Sequence, residues 1–207
     1  MDSGQQGQLT KQTGANISLS MGEYGEPLVT ELQPRFYQQT YRGVTFTTQF
    51  PAAAAAAASA TVLGAFALFN PLGTGKNLVM LDSTIALVSF TPATTPLQLS
   101  LVPFTQVPTS VGAGPVAVNT FIGGPLNAAS VSKTYVSGTT VAASTTAIKL
   151  LGNFYIDLAA GDVIGSLVYN FDGKLIIAPG SGISVVAIAT VPTNSIAVDF
   201  TWMEVAI

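Results

Sequence analysis

Val44, Phe46, Thr48 and Phe50 alternate with Thr45, Thr47 and Gln49. A period of two carried by β-branched and aromatic side chains predicts a half-buried strand. Leu97, Leu99 and Leu101 alternate with Gln98 and Ser100, and Ile196, Val198, Phe200 and Trp202 with Ala197, Asp199 and Thr201. Around residue 150 the pattern places Ile148, Leu150, Phe154, Ile156 and Leu158 on one face, with Lys149, Asn153 and Asp157 on the other. Further apolar runs at 62–69, 78–90, 116–121, 163–169, 175–178 and 183–189 read as strands. Gly, Pro and Asn clusters punctuate them, and Asp172-Gly173, between Tyr169/Phe171 and Leu175, predicts a two-residue hairpin turn. Short strands, regular turn signals and no sustained helical period predict an all-β sandwich or barrel of about 8–10 strands. The one candidate helix is the alanine run at 52–58, although a small-residue connection between closely packed backbones accounts for it equally well.

Residues 1–42 break the pattern. They hold seven of the seventeen charged residues, many Gln and Gly, and apolar positions with no sustained period. The expectation is an extended N-terminal arm, ordered where it lies on a neighbour, followed by a β-sandwich domain over 43–207. A first strand behind a loose leader is the other reading. Tyr24, Phe36, Tyr37 and Tyr41 cluster near the end of this segment beside Arg35 and Arg42. Tyr and Arg are enriched where proteins meet, so these six are the candidate partner-binding residues. Packing back on the same subunit is the alternative for them.

Composition narrows the chemistry. The chain has no cysteine and no histidine, which removes thiol nucleophiles, the commonest general base and the commonest metal ligand. Its acids are scattered, without the spacing of a calcium loop or a glycosidase pair. Gly73-Thr74-Gly75-Lys76 resembles a piece of a phosphate-binding loop, but Asn70 and Asn77 stand where that pattern needs Gly and Ser or Thr. A turn with an exposed lysine is expected there. No catalytic residue, metal site or cofactor is expected.

Charged residues make up only 8% of the chain, against roughly 25% in ordinary domains. Either other subunits cover much of the surface, or Ser, Thr, Asn and Gln keep it wet. A formal net charge of −3 with no basic cluster argues against nucleic-acid binding. The apolar runs are too short to cross a membrane as helices. Residues 1–7 lack the basic and apolar regions of a signal peptide, so no export signal is expected.

Two segments carry a resemblance. Leu175-Ile-Ile-Ala-Pro179-Gly180-Ser-Gly182-Ile-Ser-Val-Val-Ala, followed by Ile196-Ala-Val-Asp-Phe200-Thr-Trp202-Met-Glu204, resembles the closing hairpin of jelly-roll virion proteins of tailed bacteriophages. Phe69-Asn70-Pro71-Leu-Gly73-Thr-Gly75-Lys-Asn-Leu78-Val-Met-Leu81 is similar to another segment common in them. The resemblance implies a jelly-roll β-sandwich, often trimeric, in capsid decoration, head-fibre or tail-associated proteins, with no catalytic residue. The expected function is therefore a non-enzymatic structural component of a phage particle, a decoration or minor capsid protein. It would self-associate, as a homotrimer, and bind the major capsid or other virion proteins through residues 1–42. Its expected place is the virion, after assembly in the host cytoplasm. A tail-associated receptor-binding module gripping a sugar near Tyr135, Tyr169 and Asp172, and the principal coat protein of a non-tailed virus, are the alternatives.

Overall fold

A computed structural model of the 207-residue chain describes residues 8–10, 16–18, 35–55, 57, 66–90, 97–105, 114–123, 129–136, 147–154, 165–188 and 194–207. The chain divides into two units, Met1–Gln38 and Gln39–Ile207. In the first, β1 (Gln8–Thr10) and β2 (Asn16–Ser18) pair antiparallel, with Leu9 opposite Ile17. A short helix α1 (Tyr37–Tyr41) spans the division.

The second unit contains β3 (Thr45–Ala53), β4 (Phe66–Asn70), β5 (Lys76–Phe90), β6 (Leu97–Phe104), β7 (Val118–Asn119), β8 (Lys133–Tyr135), β9 (Lys149–Phe154), β10 (Ser166–Ile177), β11 (Ser181–Ala187) and β12 (Asn194–Ala206). They form two five-stranded antiparallel sheets, β10-β5-β12-β3-β7 and β8-β4-β11-β6-β9. Setting aside β7 and β8 and numbering the remaining eight strands along the chain, the sheets run 6-3-8-1 and 2-7-4-5. A long antiparallel hairpin rolled over on itself produces that order, which is a jelly roll. The all-β sandwich read from the sequence is the fold. β7 and β8 both come from the long connection between β6 and β9, and each extends one sheet beside the first strands.

Alternating side chains of both sheets fill the space between them. Phe46, Phe50, Phe66, Phe200 and Trp202 are fully buried there. Phe50 meets Phe66 and Phe200 edge-on, at ring separations of 5.9 and 5.8 Å, an arrangement favoured by the ring quadrupoles. A smaller cluster of Ala67, Phe69 and Phe104 forms separately, with Tyr135 against it.

Three local expectations are corrected, and a reading left open for the alanine run is decided at its start. Asp172-Gly173 does not reverse the chain. Both residues have positive φ (52° and 77°), but β10 pairs with β5 on either side, the register slipping between Asn170 and Leu175. Turn chemistry here makes a bulge inside one strand. In β9, Leu99 faces Gly152 while Ser100 faces Leu150. The extra residue switches the alternation, so Leu150 is exposed whereas Leu151 and Phe154 are buried. Ala52 and Ala53 end β3 rather than starting a helix, because pairing of Ala53 with Ile196 supplies the hydrogen bonds a short helix would otherwise make. Lys76 is not a free surface lysine, as shown below. Ala56 and Ala58 of the alanine run, and expected strand positions at 62–65, 155–158, 163–164 and 189, lie outside the described residues.

The outward face of the β10-β5-β12-β3-β7 sheet carries two neighbouring acids, Asp82 and Asp199. Burial pushes the Asp199 carboxyl above the usual carboxylate range; the Thr47 hydroxyl, donating to Oδ1 at 3.2 Å, opposes this, and the Asp82 charge adds to it. The folded chain thus holds this proton more tightly than the unfolded chain does. That contribution is complete below the ordinary Asp value of about 3.9 and is lost as pH rises through the raised one. Asp199→Asn keeps the acceptor for Thr47 and removes the charge. It should raise stability at pH 7 by about 0.5 kcal/mol, and the gain should shrink toward pH 4. Thermal melts of both proteins at the two pH values check this, and no gain at pH 7 refutes it.

Candidate functional site

The β4–β5 turn, the β10–β11 turn and the end of β12 meet in one hydrogen-bonded corner. Asn70, the last residue of β4, is fully buried. Its Nδ2 donates to the carbonyls of Lys76 (2.8 Å) and Ile177 (3.0 Å), and its Oδ1 accepts from the Thr74 hydroxyl at 2.9 Å. Its own carbonyl accepts from the Gly180 N–H at 2.7 Å. Gly73 and Gly75 take positive φ, which lets the turn close in so few residues. The two segments singled out in the sequence therefore meet here.

Glu204 continues the inward-facing row of β12 after Phe200 and Trp202, yet its side chain is fully buried. A buried carboxylate has to be compensated. Oε2 pairs with Lys76 Nζ at 2.9 Å, while Oε1 accepts from the Ser130 hydroxyl at 2.6 Å and the Val131 N–H at 2.8 Å. Glu204 thereby fastens the connection that carries β7 and β8 to the end of β12. With its hydroxyl given to the carboxylate, Ser130 serves as a structural group.

The chain enters the sandwich at this same corner, through a built mount. Gly43 N–H donates to Thr40 O at 2.9 Å and Val44 N–H to Gln39 O at 3.2 Å, with Gly43 at φ 67°. These are the paired bonds of a Schellman motif, which stops α1 at a glycine. Asn119 Nδ2 donates to the Gly43 carbonyl at 2.6 Å, and Glu204 N–H to Val44 O at 2.8 Å.

Of the predicted partner-binding residues, Tyr41 and Arg42 stand on this mount, both exposed. The Tyr41 ring lies 5.5 Å from that of Phe121. Phe121 is followed by Ile122, which is 90% exposed, and Val116 (84%), just before β7, and Val118 (57%), in it, are also open. Sequence reading missed this apolar strip, because the run at 116–121 looked like an ordinary core strand. Arg35, Phe36 and Tyr37 precede the division or sit at it. The Arg35 guanidinium lies 5.0 Å from the centre of the Phe36 ring, Phe36 has φ 74°, and Tyr37 is partly exposed. Tyr24 lies outside the described residues.

The sandwich has two open sides. Between the β7 and β8 segments lies a cavity of about 250 Å³, lined mainly by small residues with Ser130, Ser132 and Lys133. Between β9 and β10 lies a groove of about 300 Å³ that includes Lys149, Tyr169, Asn170 and Lys174. Among the described residues no group of three His, Cys, Asp or Glu side chains converges to hold a metal, and no helix is long and apolar enough to cross a membrane. Asp157 and Asp162 lie outside the described residues. No protein-family model, no curated protein and no solved structure matches this chain.

Proposed function

We propose that this protein is a structural component of a bacteriophage particle, a capsid decoration or minor capsid protein. On this reading it associates with copies of itself and attaches to the shell through residues 1–42. Jelly rolls also build lectins and cupins, so strand order alone does not choose among them. The observation that carries the reading is the surface: a chain with 8% charged residues leaves Val116, Val118 and Ile122 open beside the mount from which its N-terminal segment departs. An edge strand of a lone soluble protein is usually guarded by lysine, proline or a bulge. β7 is guarded only by being two residues long, and its exposed Val118 suits an edge that is covered on assembly. Absence of histidine removes the usual metal ligand of a cupin site.

Two measurements test this. Light scattering on the eluted full-length protein should give a trimer of about 64 kDa, three times the 21.2 kDa chain. Co-sedimentation with particles should be lost when residues 1–42 are deleted. A strict monomer whose particle binding survives that deletion sinks the proposal.

A further inference from the structure

We propose that the groove between β9 and β10 is a binding site for an acidic saccharide, a sugar ring carrying a carboxylate. This stands apart from the assembly role, since the groove is on the opposite side of the sandwich from β7.

Lysine is scarce in this chain: only Lys76, Lys133, Lys149 and Lys174 occur beyond Gly43. Two of those four line one groove of about 300 Å³. Neither Lys149 nor Lys174 has a carboxylate partner among the described residues, whereas Lys76 has Glu204. Two lysines lining one recess raise its positive potential, which favours an anion there. Random placement of rare lysines on a nearly uncharged surface does not favour such a pair.

Each of the two lysines stands next to a bulge, Lys149 in β9 and Lys174 in β10. Lys174 follows the Asp172-Gly173 bulge, where both residues take positive φ, as Asp and Gly readily do. Bulges re-aim side chains and are over-represented beside binding sites. Lys149 lies 5.3 Å from the centre of the Tyr169 ring, and that attraction limits where its ammonium can swing. Tyr169 is itself braced by Phe171, whose ring centre is 4.8 Å away and which is buried in the core. Asp172 adjoins the groove but does not line it.

The rest of the lining defines the ligand. Asn170 and Tyr169 offer a carboxamide and a phenol for hydroxyl groups, while Ile148 and Leu175 offer apolar surface for the C–H face of a ring. At about 300 Å³ the volume is at the low end for small-ligand sites, which suits one or two sugar rings. Mixed hydroxyl, apolar and anionic demands fit an acidic sugar better than a bare phosphate, which would need no apolar surface, or an acidic peptide, which would need no array of hydroxyl partners.

Titration calorimetry on the full-length protein decides it, with trigalacturonic acid, sialyllactose, lactose and hexaglutamate as probes. At least one acidic sugar should bind more than about fivefold tighter than lactose. Lys149→Gln and Lys174→Gln should each weaken that binding about tenfold, while Lys133→Gln, on the other side of the sandwich, leaves it unchanged. Circular dichroism confirms that each variant is folded. The inference is overturned if no acidic sugar binds, if lactose binds as well, or if neither groove lysine matters. Hexaglutamate binding as tightly as the acidic sugars also overturns it, the groove then being a peptide site.

Discussion

Asn70→Ala is expected to lower the melting temperature by roughly 10 °C. The buried Asn70 amide closes three hydrogen bonds, one fully buried and two partly so, joining the carbonyls of Lys76 and Ile177 and the Thr74 hydroxyl. Removing it leaves the buried Ile177 carbonyl without that donor, leaves the Lys76 carbonyl with only the Thr74 hydroxyl at 3.3 Å, and opens a cavity where the amide stood. Each such group costs about 1–3 kcal/mol, giving about 4 kcal/mol in all, and at this chain length 1 kcal/mol corresponds to about 2–4 °C. Asn70→Asp should be no better, since it keeps the shape but turns an acceptor toward both carbonyls. Thermal unfolding followed by circular dichroism reads the effect, and amide exchange at Gly180, whose N–H reaches Asn70 O, reports whether the corner has opened. A loss below about 3 °C would mean that the β4–β5 turn holds without its asparagine.

This corner also marks the limit of what the sequence discloses. Period-two alternation made β3 and β12 legible, because each has one face in the core and one largely outside; β6 was legible by its leucines although Ser100 and Val102 of its other face are buried as well. The same rule failed at β9 and β10. A bulge adds a residue without changing composition, so Leu150 and Leu151 exchange faces, and Asp172-Gly173 carries hairpin chemistry with no hairpin. The Lys76–Glu204 pair links positions 128 apart in the chain, and no local pattern announces which rare lysine will meet which rare acid. Among the candidate site residues, Tyr41 and Arg42 were legible as the last aromatic and the last arginine before the strands begin. Their support was not: it comes from Gly43, Asn119 and Phe121, and only the first is near them in sequence.

Gly182→Val supplies the sharpest contest between sequence propensity and packing. Gly182 lies in β11, a strand with neighbours on both sides, where valine is ordinarily preferred to glycine by about 1 kcal/mol. Propensity alone therefore predicts stabilisation. The structure predicts the reverse. Gly182 stands between Phe69 of β4 and Phe104 of β6 in the paired register, and those two rings stack at 5.7 Å. A Cβ at this position would run into the Phe104 ring and approach the Leu68 carbonyl oxygen to 2.7 Å. The ring would have to leave its stack and the neighbouring strand to shift, so the variant should lose about 3 kcal/mol or more. Phe104→Leu in the same chain frees the side-chain obstacle but not the backbone one. The double variant should therefore recover part of the loss, with a coupling of about 1–2 kcal/mol between the two positions. Denaturant melts of the four proteins measure that cycle. If Gly182→Val is as stable as the parent, or if its penalty is the same with and without Phe104, the aromatic pair is not what reserves this strand position for glycine.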